Sequence, residues 1–193
     1  MVSEPGATGR ILTVWRHAQT RHRVGVHYRF LEYHDTREVI YNAMQAEREG
    51  YDAFLIGNIS DAGIRAAREV VGIPVLGLCE TSLHVACMMG ANFSLVTISE
   101  KWTPRLLAKG TEVIIPAGGD IIVFLADGGI FEFERAPILN GIVELVKMGE
   151  LAVKLRQRTG RFTSKRGGYA TPTGDFLERI RKHYGAQVYP EAK

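Results

Sequence analysis

The sequence predicts an α/β protein built on a parallel sheet, and residues 51–99 carry that prediction. Three short apolar runs fall in this stretch, at 53–56, 73–78 and 93–98. They are rich in branched and aromatic side chains, as strands buried on both faces are. Helical patterns separate them. Residues 62–71 place Ile64, Ala67 and Val71 at helical spacing, and residues 81–89 do so with Leu83, Val85, Ala86 and Met89 before a terminating Gly90. Strands alternating with helices of about ten residues make a parallel sheet with crossover helices.

The other elements follow in chain order. Residues 1–9, with Pro5, Gly6 and Gly9, read as a flexible leader, and 11–15 as a first strand. Residues 16–34 hold four histidines, His17, His22, His27 and His34, among several arginines. Histidines so close together raise the question of a metal. Their irregular spacing, with no cysteine or paired carboxylate beside them, favours a solvated or anion-facing segment, and no metal site is assigned. Residues 36–50 form an amphipathic helix with Val39, Ile40, Ala43, Met44 and Ala46 inward. A buried strand is expected at 113–115, leaving through Pro116, Ala117, Gly118 and Gly119. Residues 121–126 fit a helix or a strand equally. A last short strand at 137–139 ends in Asn140 and Gly141. Residues 142–158 are the clearest helix, with Ile142, Leu145, Val146, Gly149, Val153 and Leu155 inward and Lys154, Arg156 and Arg158 in its last turn. A basic, glycine-rich stretch covers 162–169, and the tail carries one more helix at 175–183.

The chain has 193 residues, of which 46% are hydrophobic and 23% charged, with a net charge of +3. That is enough for one sizeable core or two small lobes. No Lys/Arg block is interleaved with aromatics, which argues against nucleic acid. No apolar run reaches the roughly 18 residues of a membrane span, and residues 1–10 lack a signal-peptide core. Cys79 and Cys87 lie roughly 12 Å apart along one expected helix, too far to bridge. A reduced, cytoplasmic protein is the simplest reading.

A parallel sheet places its chemistry just past the carboxyl ends of its strands. Asn58, Ser60 and Asp61 follow the first run, Cys79, Glu80, Thr81 and Ser82 follow the second, and Thr97 and Ser99 lie at the end of the third. Asp61 or Ser60, and Thr81 or Ser82, are also suited to cap the helix that follows each strand. Cys79 lies immediately before an expected helix start, where the dipole favours a thiolate. It reads as a small buried hydrophobe or, alternatively, as an acid/base. Cys87 and His84 read as core residues. Lys165 and Arg166 face either an anionic substrate or water.

The phrases GNISDAGIRAARE, IPVLGLCETSLHVA and FSLVTIS, with the later PILNGIVELVKMGELAVKL and FTSKRGGYA, carry a further signal. Together they resemble the aspartate/glutamate/hydantoin racemase superfamily, and its hydantoin racemase branch in particular, from about residue 41 to 170. The resemblance implies two α/β lobes facing across a cleft, no pyridoxal cofactor, and one cysteine from each lobe. One thiolate removes the α-proton and the opposite thiol returns a proton on the other face. Carried over, the first cysteine position falls on Asn58 and the second on Ala117 or Gly118. Neither is a cysteine here, so the two-thiol mechanism is not supported as it stands. What remains is a cradle of donors, from Asn58, Gly118, Gly119, Thr97 and Ser99, suited to a carboxylate or enolate-like oxygen.

The resemblance also implies a shortened second lobe, because segments of the relatives are missing near 19–23 and 104–111. The expected division is 10–98 plus 138–170 for the first lobe, 99–137 for the second, and 171–193 for a C-terminal tail. The expected function is binding of a small carboxylate or amide, of amino-acid or hydantoin type, with cofactor-independent α-carbon proton transfer. The alternative is an inactive ligand-binding or accessory protein. Cys79 is the catalytic candidate. Asn58, Ser60, Asp61, Glu80, Thr97, Ser99, Ala117, Gly118 and Gly119 are the binding candidates. No cofactor, nucleic acid or membrane partner is expected, and a homodimer or higher homo-oligomer is.

Overall fold

A computed structural model describes residues 11–14, 29–96, 111–185 and 188–189. It is an α/β structure with two separate parallel sheets. The first holds β1 (Ile11–Val14), β2 (Ala53–Ile56) and β3 (Val75–Gly77) in that order. Ile11 pairs with Ala53, and Phe54 pairs with Val75. Successive strand residues face opposite ways. Phe54 and Ile56 therefore pack against α1 (Arg29–Arg48) and α2 (Ile64–Val70), with Ala43, Met44, Ala67 and Val71. Leu55 packs on the other face with Leu145 and Ala152 of α5 (Gly141–Thr159). Gly149 makes this contact close, since a Cβ there would lie 2.9 Å from Leu55 Cδ2.

β3 runs straight into α3 (Leu78–Met89), whose far end delivers the chain to the second sheet. There β4 (Phe93–Val96) pairs with β5 (Val113–Pro116), and Ile138 bridges Ile114. Val113, Ile115 and Leu139 form its core with Ala86 of α3. β4 pairs with β5 and with none of β1–β3, so the change from one sheet to the other falls between β3 and β4. α3 belongs to both cores, because Leu78 lies in the α5 cluster and Ala86 in the second.

Residues 121–126 are helical, within α4 (Gly119–Asp127). The short strand expected at 137–139 is instead half of a hairpin, β6 (Glu132–Phe133) and β7 (Ala136–Pro137), turned by Glu134 and Arg135 at φ 47° and 69°. α6 (Gly174–Tyr184) is the last helix. α1 starts seven residues before the expected position and α3 three before it. Of the four histidines, His17, His22 and His27 lie outside the described residues, while His34 meets the rings of Phe30 and Tyr33 edge-on. Among the described residues, no group of three or more His, Cys, Asp or Glu could hold a metal ion, and no helix is long and apolar enough to cross a membrane.

Candidate functional site

The loop after β2 folds onto the start of α3. Asn58 Oδ1 accepts the Ser60 N–H at 3.0 Å, and the Asn58 carbonyl accepts the Asp61 N–H at 3.0 Å. Asp61 takes a left-handed conformation, φ 50°, which Asp tolerates better than most residues. Its carboxylate then crosses to α3 and accepts the Cys79 N–H at 3.0 Å and the Glu80 N–H at 2.7 Å. The N-cap of α3 is Gly77, which offers no side chain. Asp61 thus caps a helix that does not follow it in sequence, and its charge meets the positive end of the dipole. A Cβ on Gly77 would collide with the Asp61 carboxylate. The expected local caps are corrected. α2 begins after Gly63 with no side-chain cap, and Thr81 and Ser82 are buried inside α3.

Arg68 of α2 holds the next residue. Its Nε donates to the Val75 carbonyl at 3.0 Å, and its guanidinium grips both Glu80 oxygens, one at 3.0 Å and one through a shorter ion pair. This pairing keeps Glu80 below the ordinary carboxylate range. Burial raises Asp61 to about 6, against the pull of the two α3 amides. Burial also pushes the Cys79 thiol up to about 11, and the charges of Asp61 and Glu80 add to the effect. Cys79 lies inside the first turn of α3, half-buried between two carboxylates, so burial and then their charges act on it against the helix dipole. His84 and Cys87, read as core residues, are exposed on the outer side of α3.

The exit of β5 is built differently. The Ala117 N–H donates to the Val96 carbonyl at 2.7 Å, which keeps the two strands together to their ends. Gly118 is extended and precedes α4, which starts at Gly119, and nothing lies within 4 Å of a Cβ placed on Gly118. Ile59 from the first exit and Ile122 of α4 share one apolar cluster with Leu78 and Ile142. Asn58, Ser60, Asp61, Cys79 and Glu80 thus form one hydrogen-bonded group, and Ala117, Gly118 and Gly119 form a second over the same core. Thr97 and Ser99 lie outside the described residues.

Two parts of this region carry no local motif. Arg68 looks like any helix-surface cation in AARE until α3 packs beside it. Lys165 donates to the carbonyls of Arg68, Glu69 and Val71 at 2.5, 2.9 and 2.5 Å, closing the C-terminal end of α2. Its ammonium is thus taken up by the chain's own carbonyls, while Arg166 is exposed. Thr171 and Tyr189 bind Glu69 from the same C-terminal segment.

Comparison with known proteins agrees with this architecture. A family model described as Asp/Glu/Hydantoin racemase matches residues 8–119, more than half of the chain. A hydantoin racemase of Pseudomonas sp. (strain NS671) is 35% identical over 126 residues, 64% of this chain and 49% of the relative. The chain therefore spans about half the length of that relative. A hydantoin racemase of Rhizobium meliloti is 26% identical over 171 residues, covering 66% of this chain and 69% of its own. Among solved structures, an allantoin racemase from Klebsiella pneumoniae superposes with a TM-score of 0.59 at 22% identity, over 76% of this chain and 78% of its own, a likeness of fold. With the parallel sheets and the strand-exit loops in place, these matches show that the chain belongs to the Asp/Glu/Hydantoin racemase family.

Proposed function

We propose that the chain binds a small carboxylate or amide, of amino-acid or hydantoin type, between the loop after β2 and the start of α4, and that the two sheets mark two lobes flanking it. The orientation of Asn58 carries this reading. Its Oδ1 is occupied by the Ser60 N–H, so the side chain presents the Nδ2 donors at the position where the family resemblance expects a cysteine. The extended Gly118 adds backbone with open space beside it. Donors without a strong base suit a carboxylate, a ring carbonyl or an enolate-like oxygen.

The family reaction, cofactor-independent proton transfer at an α-carbon, is the corresponding activity. Binding without turnover is the second reading, favoured by Asn58, Ala117 and Gly118 standing where the two thiols are expected and by the burial that pushes the Cys79 thiol up. One experiment separates them. The protein is incubated in heavy water with aspartate, glutamate, hydantoins and arylmalonates, and the α-proton is followed by NMR. Exchange supports the racemase-type reaction. Binding by calorimetry without exchange supports the second reading, and binding unaffected by Asn58→Ala would remove Asn58 from the site.

A further inference from the structure

Residues 165–171 close on the C-terminal end of α2, and they hold Arg68 by both its backbone and its side chain. The Arg68 carbonyl accepts from the Lys165 ammonium at 2.5 Å, and the Arg68 guanidinium donates to the Tyr169 hydroxyl. Glu69 is held beside it, where its carbonyl accepts from Lys165 at 2.9 Å and from the Thr171 hydroxyl at 3.0 Å. Tyr169 comes from a single tight turn, Gly167–Tyr169, that packs on α2. Arg68 is also the residue of α2 that reaches into the candidate site. Its side chain is 14% exposed; Nε donates to the Val75 carbonyl in β3, and the guanidinium grips both Glu80 oxygens in the first turn of α3. Asp61 takes the Cys79 and Glu80 N–H groups of that same turn, and it closes the loop that starts at Asn58.

We propose that Lys165 and Tyr169 are positioning residues of the strand-exit site: they act through Arg68, whose two-point grip on Glu80 sets where the first turn of α3 stands, and with it the Asp61 loop. A planar guanidinium holds two carboxylate oxygens at once only from one direction, so a small shift of its stem loses the grip. α2 has seven residues, too few to hold its own end rigid. The C-terminal segment supplies what the helix lacks, fixing the backbone of Arg68 through Lys165 and its fork through Tyr169. This role rests on the binding site proposed above for its purpose, while the placing of Glu80 is read without a ligand.

Carbon-13 NMR of the Glu80 carboxyl in the full chain tests this. In the wild type Glu80 should titrate below the ordinary carboxylate range, as its pairing with Arg68 requires. Lys165→Met/Tyr169→Phe should raise that titration by about half a unit or more, because Arg68 no longer holds both oxygens. Arg68→Lys, which keeps the charge and loses the fork, should raise it similarly. Ile115→Ala weakens the second core away from Arg68 and should leave Glu80 where it is, which separates the placing of Arg68 from a general loss of stability. Should the double variant fail to fold, Tyr169→Phe alone removes a single hydroxyl and should move Glu80 the same way. A Glu80 titration that Lys165 and Tyr169 do not move, or that Ile115→Ala moves as far, would overturn the proposal. Calorimetry with hydantoin on the same variants completes the test. Weaker binding by Lys165→Met/Tyr169→Phe than by the wild type supports the positioning role, and equal binding would overturn it. A wild type that binds no hydantoin, with Glu80 still moving, would count against the ligand proposed above and still support the placing of Glu80.

Discussion

At the residue scale the site depends on Asp61. Its carboxylate ties the loop after β2 to the first turn of α3 through two backbone N–H groups. Asp61→Asn keeps the shape but turns one acceptor into a donor facing an N–H. The expected loss is about 1–3 kcal/mol in urea unfolding. The pH dependence follows from burial, which raises the folded pKa from 3.8 to about 6. The folded state then holds this proton more tightly than the unfolded state does. The contribution of Asp61 is fully present below 3.8 and is lost as pH rises through about 6. Measured against Asp61→Asn, the unfolding free energy of the wild type should fall across that window and level off above it. A rise instead would mean that the α3 amides outweigh burial. Gly77→Ala tests the same tie sterically. Its Cβ would displace the carboxylate, and hydrogen exchange at the Cys79 and Glu80 amides should accelerate. The strand-exit position made Asn58, Asp61, Cys79 and Glu80 legible as a group. That Asp61 caps α3 was not legible, because its partners are 18 and 19 residues away and no local spacing joins them.

At the element scale, periodicity read the helices well where one face is buried along most of the length. Leu145, Gly149 and Val153 of α5 are buried as their spacing implies. Leu155 is exposed because it lies one turn from Leu151 on the outer side of α5, while Ala152 and Val153 between them are buried. Starts were harder to read: α3 begins at a Gly77 that offers no side-chain cap and is held instead by Asp61 from a distant loop. α2 shows the same effect at its other end. It has seven residues, marginal for an isolated helix, and its last carbonyls are closed by Lys165 from far along the chain. Lys165→Met keeps the apolar stem and removes the donors. It should cost about 1–3 kcal/mol, and faster hydrogen exchange should concentrate in α2. Exchange that rises equally everywhere would show that Lys165 acts on the whole fold and not on this helix.

At the scale of the whole molecule, the question is whether two sheets make two folding units. The sequence showed that parallel strands were present but not which sheet each joined, because short apolar runs look alike and pairing is decided by where α3 carries the chain. β4 and β5, with a single bridge at Ile138, are a small sheet for independent stability. The cores are also not separable by side chain. α3 gives Leu78 to one and Ala86 to the other, and Ile122 of α4 packs with Leu55 and Leu145 beneath the first sheet. One cooperative transition is therefore expected. Ile115→Ala in the second core should cost about 2–5 kcal/mol, as should Leu55→Ala in the first. Either change should lower the protection of the most slowly exchanging amides in β2 and β5 by the same amount. If Ile115→Ala loosened β5 and left β2 untouched, the second sheet would open by itself. The ligand proposed between them would then bind to a face that assembles only when the sheet closes.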